Sequence, residues 1–413
     1  MTVSEARHTK RVCYFSYLAS ASVFSLPPVL FATFKEMYGV SYTLLGTLVL
    51  INFFTQLAID LIFSFFSKHF NIPKTICATP LLTALGLAIY ALIPAFFPQY
   101  AYIGFVIGTV VFSVASGLGE VLLSPTVAAL PSDTPDKDMS TLHSLYGYGV
   151  VGVVIISTLF IKIFGAQNWM YLTLILALFP VITSVMFFTS KLPDFDMHQQ
   201  SATKGHSCHK AKSIALLAAC IFLGACSETV MTNWISTYAE TALNISKVWG
   251  DIFGMALFAA VLALTRTAYA KYGKNISRTL MVGMAGASVC YITAAIVPNT
   301  VISLVSCVAV GLFTAMLWPG TLILMEEKVK GVGVAAYALM AAGGDLGASL
   351  APQGLGIAVD SVSAAGWAKQ LGDKFSLSAE QIGFKIGMLL ASVFSLLGII
   401  LLIYMKKHFE KCE

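Results

Sequence analysis

Charged residues fall along this chain in widely separated clusters, and the stretches between them are apolar and long. Residues 12–34 and 37–59 contain no Asp, Glu, Lys or Arg, and residues 75–119 run 45 positions without one, interrupted only by Pro94, Pro98 and Gln99. Residues 139–161 and 166–190 repeat the pattern. After a polar stretch it resumes at 213–239 (broken by Glu228), 252–265, 331–359 (broken by Asp345) and 386–405, with an uncharged run of 47 residues at 279–325 that breaks at Pro298-Asn299. About 20 apolar residues in helical conformation span a bilayer, so each long run predicts two helices joined by a tight turn, and twelve membrane-spanning helices are predicted in all. Strands of a membrane barrel would alternate apolar and polar residues over about ten positions, and these runs do not alternate.

Composition agrees with the pattern. Of the 413 residues, 57% are hydrophobic and only 11% are charged, against about 25% charged in a soluble domain. A water-exposed surface cannot be built from so few ionic groups, which excludes secreted, cytosolic and nucleic-acid-binding readings. The two long uncharged hairpins begin 204 residues apart, close to half the chain, as expected of a duplicated six-helix unit with a substrate site between the copies. The predicted organisation is therefore an N-terminal bundle over 1–190, a cytosolic linker over 191–212 and a C-terminal bundle over 213–413. With both termini inside, 18 Lys and Arg fall on the cytosolic side and six outside, which obeys the positive-inside rule. The net charge of +5 is thus topological. The first apolar stretch is full span length and does not read as a cleavable signal. The expected location is a bacterial inner membrane. None of the eight cysteines forms a CxxC pair, so no disulfide framework is indicated. The sequence His206-Ser-Cys208-His209, with His198 upstream, matches no closed zinc spacing, and no metal or organic cofactor is expected.

Ionisable residues within membrane helices are functional candidates because each costs several kcal/mol unless it faces water or a partner. Glu120, Glu228 and Asp345 are read as proton-coupling candidates. Asp60 and Arg266, near cytosolic helix ends, are read as gating or structural charges together with Lys271. Glu120 lies in Gly117-Leu-Gly119-Glu120-Val-Leu-Leu-Ser124-Pro125, where glycines permit close helix packing and a proline frees a backbone carbonyl. Glu228 precedes Thr232, Asn233, Trp234 and Tyr238 on one helix, a mixture of acid, amide and aromatics suited to a hydroxyl-bearing ligand. Asn52 and Gln56, one turn apart, read either as substrate amides or as interhelical glue. Asp345, flanked by Gly343, Gly344 and Gly347, reads either as a second proton site or as a structural acceptor. Residues 366–381 predict a short amphipathic helix or lid.

These motifs carry a family resemblance. The chain resembles a major facilitator superfamily member from end to end, and Gly119-Glu120-Val-Leu-Leu-Ser124-Pro125-Thr-Val-Ala-Ala-Leu-Pro131 is similar to the helix-4 motif of the fucose permease branch, with Ser124 at the usual asparagine. Leu142-His143-Ser-Leu-Tyr146-Gly-Tyr-Gly149 resembles the helix-5 opening of that branch, and Trp234-Ile-Ser-Thr-Tyr238 its helix 7. The resemblance implies an all-α integral membrane fold of two pseudo-symmetric six-helix bundles. It also implies a sugar:proton symporter in which Glu120 is protonated, with His143 and Tyr146 near the substrate. Two features depart from the branch. Phe24-Ser-Leu-Pro27-Pro28 stands where it has a helix-1 acid, and both copies of the cytosolic loop motif have lost their aspartate. The expected activity is proton-coupled symport of a hydroxylated small solute by a monomer in a lipid bilayer, with the proton as coupling ion. A proton-coupled exporter of drug-like or metabolite cargo is the alternative, recommended by Gly147, Gly149 and Gly152 on helix 5. No HExxH or GxSxG string supports a membrane enzyme.

Overall fold

The computed structural model describes residues 1–66, 71–132, 135–193, 208–329 and 334–410. Most of the predicted linker, and with it His198 and His206, lies outside the described residues. So does Lys68, and so do the side chains of His143, Cys208 and His209.

Helices account for nearly all of the described chain. They are α1 (Val3–Tyr38), α2 (Tyr42–Phe66), α3 (Ile72–Phe96), α4 (Ala101–Ala128), α5 (Pro135–Phe164), α6 (Trp169–Phe188) and α7 (Cys208–Thr241), then α8 (Lys247–Tyr272), α9 (Ile276–Ile296), α10 (Thr300–Lys328), α11 (Val334–Ser363), α12 (Gly366–Phe375) and α13 (Ala379–Glu410). Eleven are apolar and long enough to cross a membrane. The twelfth predicted span is α11, equally long but diluted by its glycines, Asp345, Pro352 and Gln353. Two helices carry internal irregularities. In α8 the segment Asp251–Ala256 is a π-helical turn, and α10 is broken by a turn at residues 315–316. Prolines inside α1, α3, α6 and α11 are tolerated because neighbouring helices satisfy the freed backbone groups in lipid.

The chain divides into two compact units. Unit 1 holds residues 1–40 and 51–199, and unit 2 holds residues 41–50 and 200–413. The first turns of α2 therefore pack as part of unit 2. There the Asp360 carboxylate accepts the Tyr42 and Thr43 amides at 3.2 and 2.6 Å, an anion at a helix N-terminus, and the Tyr42 ring meets Phe384 at 4.9 Å and Trp234 at 5.9 Å.

In unit 1, one core surrounds Val12, Cys13, Ile76, Leu122 and Phe187. An aromatic cluster of Phe34, Tyr90, Phe105 and Trp169 packs toward the other end of the same helices, with Phe34 stacked on Phe105 at 4.2 Å. Glycines set the crossing of α3 and α4. A Cβ on Gly86 would sit 2.6 Å from the Phe112 amide nitrogen, and one on Gly108 would sit 2.7 Å from that of Tyr90. In unit 2 the same device joins α7 to α11, where Cβ atoms on Gly343 and Gly347 would meet the carbonyl oxygens of Ala218 and Phe222 at 2.9 and 2.4 Å.

The duplication survives at the level of single hydrogen bonds. Asn71 caps α3 by accepting from the Lys74 amide, and Asn275 caps α9 by accepting from the Arg278 amide. Thr75 and Thr279 each return a hydroxyl bond to the capping residue's carbonyl, at 3.0 and 2.9 Å. The strings Asn-Ile-Pro-Lys-Thr and Asn-Ile-Ser-Arg-Thr stand 204 residues apart, matching the hydropathy offset. Asn275, which also begins an Asn-x-Ser string, thus serves as a helix cap.

Candidate functional site

Unit 1 brings together acids and aromatics from four helices. Glu120 projects from α4 within a membrane-spanning segment, yet its side chain is solvent-accessible. Its charge is felt at Asp60 on α2 and at Tyr17 on α1. One carboxylate oxygen of Asp60 is buried with no hydrogen-bond partner among the described residues. Beside this acid pair stands a run of rings. Tyr146 of α5 lies 5.6 Å from Phe24 and 6.4 Å from Tyr17, and Phe24 lies 6.1 Å from Phe53. Phe24 occupies the turn of α1 just before Pro27-Pro28, so α1 contributes apolar faces here where the fucose permease branch has an acid. His143 lies three residues before Tyr146 on α5.

Asn52 and Gln56 are buried and engaged with one another and with α4. Gln56 donates to the Asn52 side-chain oxygen at 3.0 Å, and Ser113 donates to that same oxygen at 2.7 Å. Of the two predicted roles, this geometry is that of interhelical glue between α2 and α4.

Unit 2 treats its charges differently. Arg266 on α8 donates to both Glu228 oxygens on α7, at 3.0 and 3.1 Å, and its Nε donates to the Ala315 carbonyl at 2.9 Å. That carbonyl is open because the residue four positions on is Pro319, which has no N–H to donate. Arg266 thus ties together α7, α8 and the break in α10. Thr232 returns its hydroxyl to the Glu228 carbonyl and Asn233 its amide to the Thr229 carbonyl. Trp234 and Tyr238 are fully buried. Their polar ends donate to the carbonyls of Pro352 on α11 and Ala294 on α9, at 3.0 and 2.6 Å, so neither ring presents a face to solvent. Asp345 is buried in the tight α7–α11 crossing, next to Gly344, on which the Trp318 ring rests. Lys271 is exposed near the end of α8, 5.3 Å from the Tyr272 ring.

A second buried network in unit 2 was not foreseen. Asp251 has no exposed surface. It accepts a very short hydrogen bond from Ser236, and Lys247 stands 3.4 Å from it and 3.8 Å from Glu240. Hydropathy placed these charges at helix ends, where loop residues are expected; the π-helical turn that begins at Asp251 is what turns its carboxylate inward. Outside the membrane segments, Asp138 accepts from Lys10 and Ser132, both at 2.6 Å, and from Tyr14 at 3.2 Å. Partial burial pushes its carboxyl up, but these donors outweigh that and hold it below its ordinary value. Among the described residues no cluster of His, Cys, Asp and Glu fits a metal ion.

The architecture matches solved transporters over nearly its whole length. A bacterial homologue of the human lysosomal transporter Spinster, inward-facing and unoccupied, superposes with a TM-score of 0.80 at 12% identity, covering 100% of this chain and 99% of that one. A D-xylose–proton symporter gives 0.74 at 13% identity, with 94% and 96% covered. The fucose:proton symporter of E. coli gives 0.56 at 11% identity, with 94% and 98% covered. At such identities the likeness is one of fold. No curated protein matches in sequence. The family model of the Major Facilitator Superfamily matches residues 13–352, most of the chain, and the chain belongs to that family of membrane transporters.

Proposed function

We propose that this protein is a secondary active transporter that couples a proton to the symport of a sugar or similar hydroxylated small solute by alternating access. One observation carries the reading: Glu120 is an exposed carboxylate within a membrane-length helix of the unit that also holds Asp60 and the packed rings of Tyr17, Phe24 and Tyr146. A carboxylate with no cation partner gains most from taking up a proton, and aromatic faces suit the apolar side of a sugar ring. In this cycle Glu120 is protonated from outside and solute binds against Tyr146 and Tyr17. Loss of the proton on the cytosolic side then releases both. Structural neighbours named as D-xylose–proton and fucose:proton symporters support the coupling. Both termini are placed in the cytosol by the distribution of Lys and Arg.

A second reading has its own observation. Asn52 and Gln56, the amides nearest the acid pair in sequence, are engaged by one another and by Ser113, which leaves a wall richer in rings than in amides. Such a wall suits proton-coupled export of a less polar cargo. The test is the external pH of de-energised proteoliposomes on addition of a panel of sugars, for wild type and Glu120→Gln. Symport gives alkalinisation with one sugar, lost in Glu120→Gln while counterflow of that sugar persists. Absence of any sugar signal, with proton-driven extrusion of an aromatic cation such as ethidium, supports the exporter reading instead.

A further inference from the structure

Among the described residues of unit 2, the short helix α12 is amphipathic rather than apolar, and the positions of its faces are informative. Trp367, Leu371 and Phe375 form a stripe at four-residue spacing and are 51%, 36% and 60% exposed. Ala368 and Gly372 are buried. At about 100° per residue, the buried edge lies ~80° round the helix from the exposed stripe, and Lys369, Gln370, Asp373 and Lys374 cover the remaining arc. The helix therefore has three sectors in order: protein-facing, exposed apolar and exposed polar.

Its placement is fixed from both ends. α12 begins three residues after α11 ends and stops four residues before α13 begins; α13 is apolar and long enough to cross a membrane, and α11 is the twelfth predicted span. The buried edge touches backbone, since a Cβ on Gly372 would stand 2.4 Å from the Leu377 carbonyl oxygen. Ser376 takes a left-handed φ of 56° to stop the helix, and Ser378 and Gln381 exchange amide bonds at 2.8 and 3.1 Å to start α13. An exposed stripe of Trp, Leu and Phe held this firmly is not a random scatter of surface apolar residues.

We propose that α12 is an interfacial helix, with its Trp367–Leu371–Phe375 stripe seated in the headgroup–acyl boundary of the lipid bilayer and its polar sector in water. Three features select lipid as the occupant. The stripe belongs to a helix joined to α13, whose Leu389, Leu390 and Val393 are also exposed apolar side chains. Trp is the residue most at home at the membrane boundary. Lys374 borders the stripe from the polar sector, so its ammonium group reaches lipid phosphates while its stem lies along the acyl boundary. The helix then holds the joined ends of α11 and α13 at a fixed depth in the membrane.

The test uses the full-length protein in phosphatidylcholine vesicles carrying a nitroxide either near the headgroup or near the chain terminus, with iodide as the aqueous quencher. The difference in tryptophan emission between wild type and Trp367→Phe isolates Trp367 without altering the other tryptophans. Seating at the boundary gives severalfold stronger quenching by the shallow nitroxide than by the deep one, and little by iodide. A reporter moved along the stripe, Phe375→Trp in the Trp367→Phe background, repeats that pattern, while Lys369→Trp in the same background is quenched by iodide. Quenching of the Trp367 component mainly by iodide, or mainly by the deep nitroxide, overturns the proposal. So does protection from both lipid and iodide, which places a second protein copy on the stripe.

Discussion

Replacing Arg266 with glutamine removes three hydrogen bonds at once, two to Glu228 and one to the Ala315 carbonyl. The Glu228 carboxylate is left with its side chain 15% exposed and no counter-charge. Breaking a fully buried ion pair from one side costs about 3–5 kcal/mol. Here the Arg266 side chain is 38% exposed, so water screens part of the interaction and the expected loss is about 2–3 kcal/mol. Glu228→Gln is milder, about 1 kcal/mol, because the amide oxygen still accepts from the guanidinium. In the double variant no carboxylate is stranded. Its destabilisation should fall about 1–2 kcal/mol short of the sum of the single losses. The assay is reversible unfolding in mixed micelles of rising denaturing-detergent fraction, read by tryptophan fluorescence, for all four proteins of the cycle. Additivity within about 0.5 kcal/mol would refute the claim that this pair holds α7 to α8. Transport supplies an independent reading. Glu228→Gln should keep solute-dependent proton uptake, because Arg266 already balances that charge. Loss of uptake with counterflow intact would make the pair itself the coupling element.

The two repeated caps should behave alike: Asn71→Ala and Asn275→Ala each cost about 1 kcal/mol in the same unfolding assay, and a large difference would mean that the repeat is not equivalent in energy. Gly86→Ala must push α3 from α4 because its Cβ meets the Phe112 backbone, and should cost about 1–3 kcal/mol. Gly152→Ala, with nothing within 4 Å of the new Cβ, should be neutral or stabilising by up to about 1 kcal/mol. Asp138 has a folded-state pKa below its unfolded one, so its stabilisation is complete above the ordinary carboxylate value of about 4. It is lost as pH falls through the lower folded value. Thermal melts of wild type and Asp138→Asn should therefore differ at neutral pH and converge once the pH has fallen below the lowered folded-state value.

The helices were readable because lipid imposes a length and a polarity on every span, and the resemblance in α4 supplied Glu120. Rotation about each helix axis was not readable. Glu228 and Arg266 sit 38 positions apart on different helices, and hydropathy reports depth without saying which way either side chain points. The same gap made Trp234 and Tyr238 look like substrate walls, whereas α7 turns them toward carbonyls of α11 and α9. Asp251 is hidden in the sequence for a second reason. A π-helical turn shifts the register of side chains, and nothing in the local string announces one.

Glu228 and Asp251, acids of membrane-length helices with a cation at salt-bridge distance, both lie in unit 2, and this bears on coupling. Two copies of one ancestral bundle, still sharing caps 204 residues apart, need not share a task. In unit 2, Glu228 is matched by Arg266 and Asp251 by Lys247, so neither acid requires a proton to remain buried. In unit 1 the described partners of Asp60 and Glu120 include no cation, and the two acids act on each other. Neighbouring carboxylates resist simultaneous ionisation, which favours protonation of one of them while water is scarce. In the proposed symport cycle that dependence on hydration suits a coupling site, so the proposed proton site belongs to unit 1, with the matched pairs of unit 2 as struts. Placing a lysine at Gln56, one turn from Asp60, should then stop solute-dependent proton uptake without removing either acid. Uptake that survives Gln56→Lys would separate the proton from this pair.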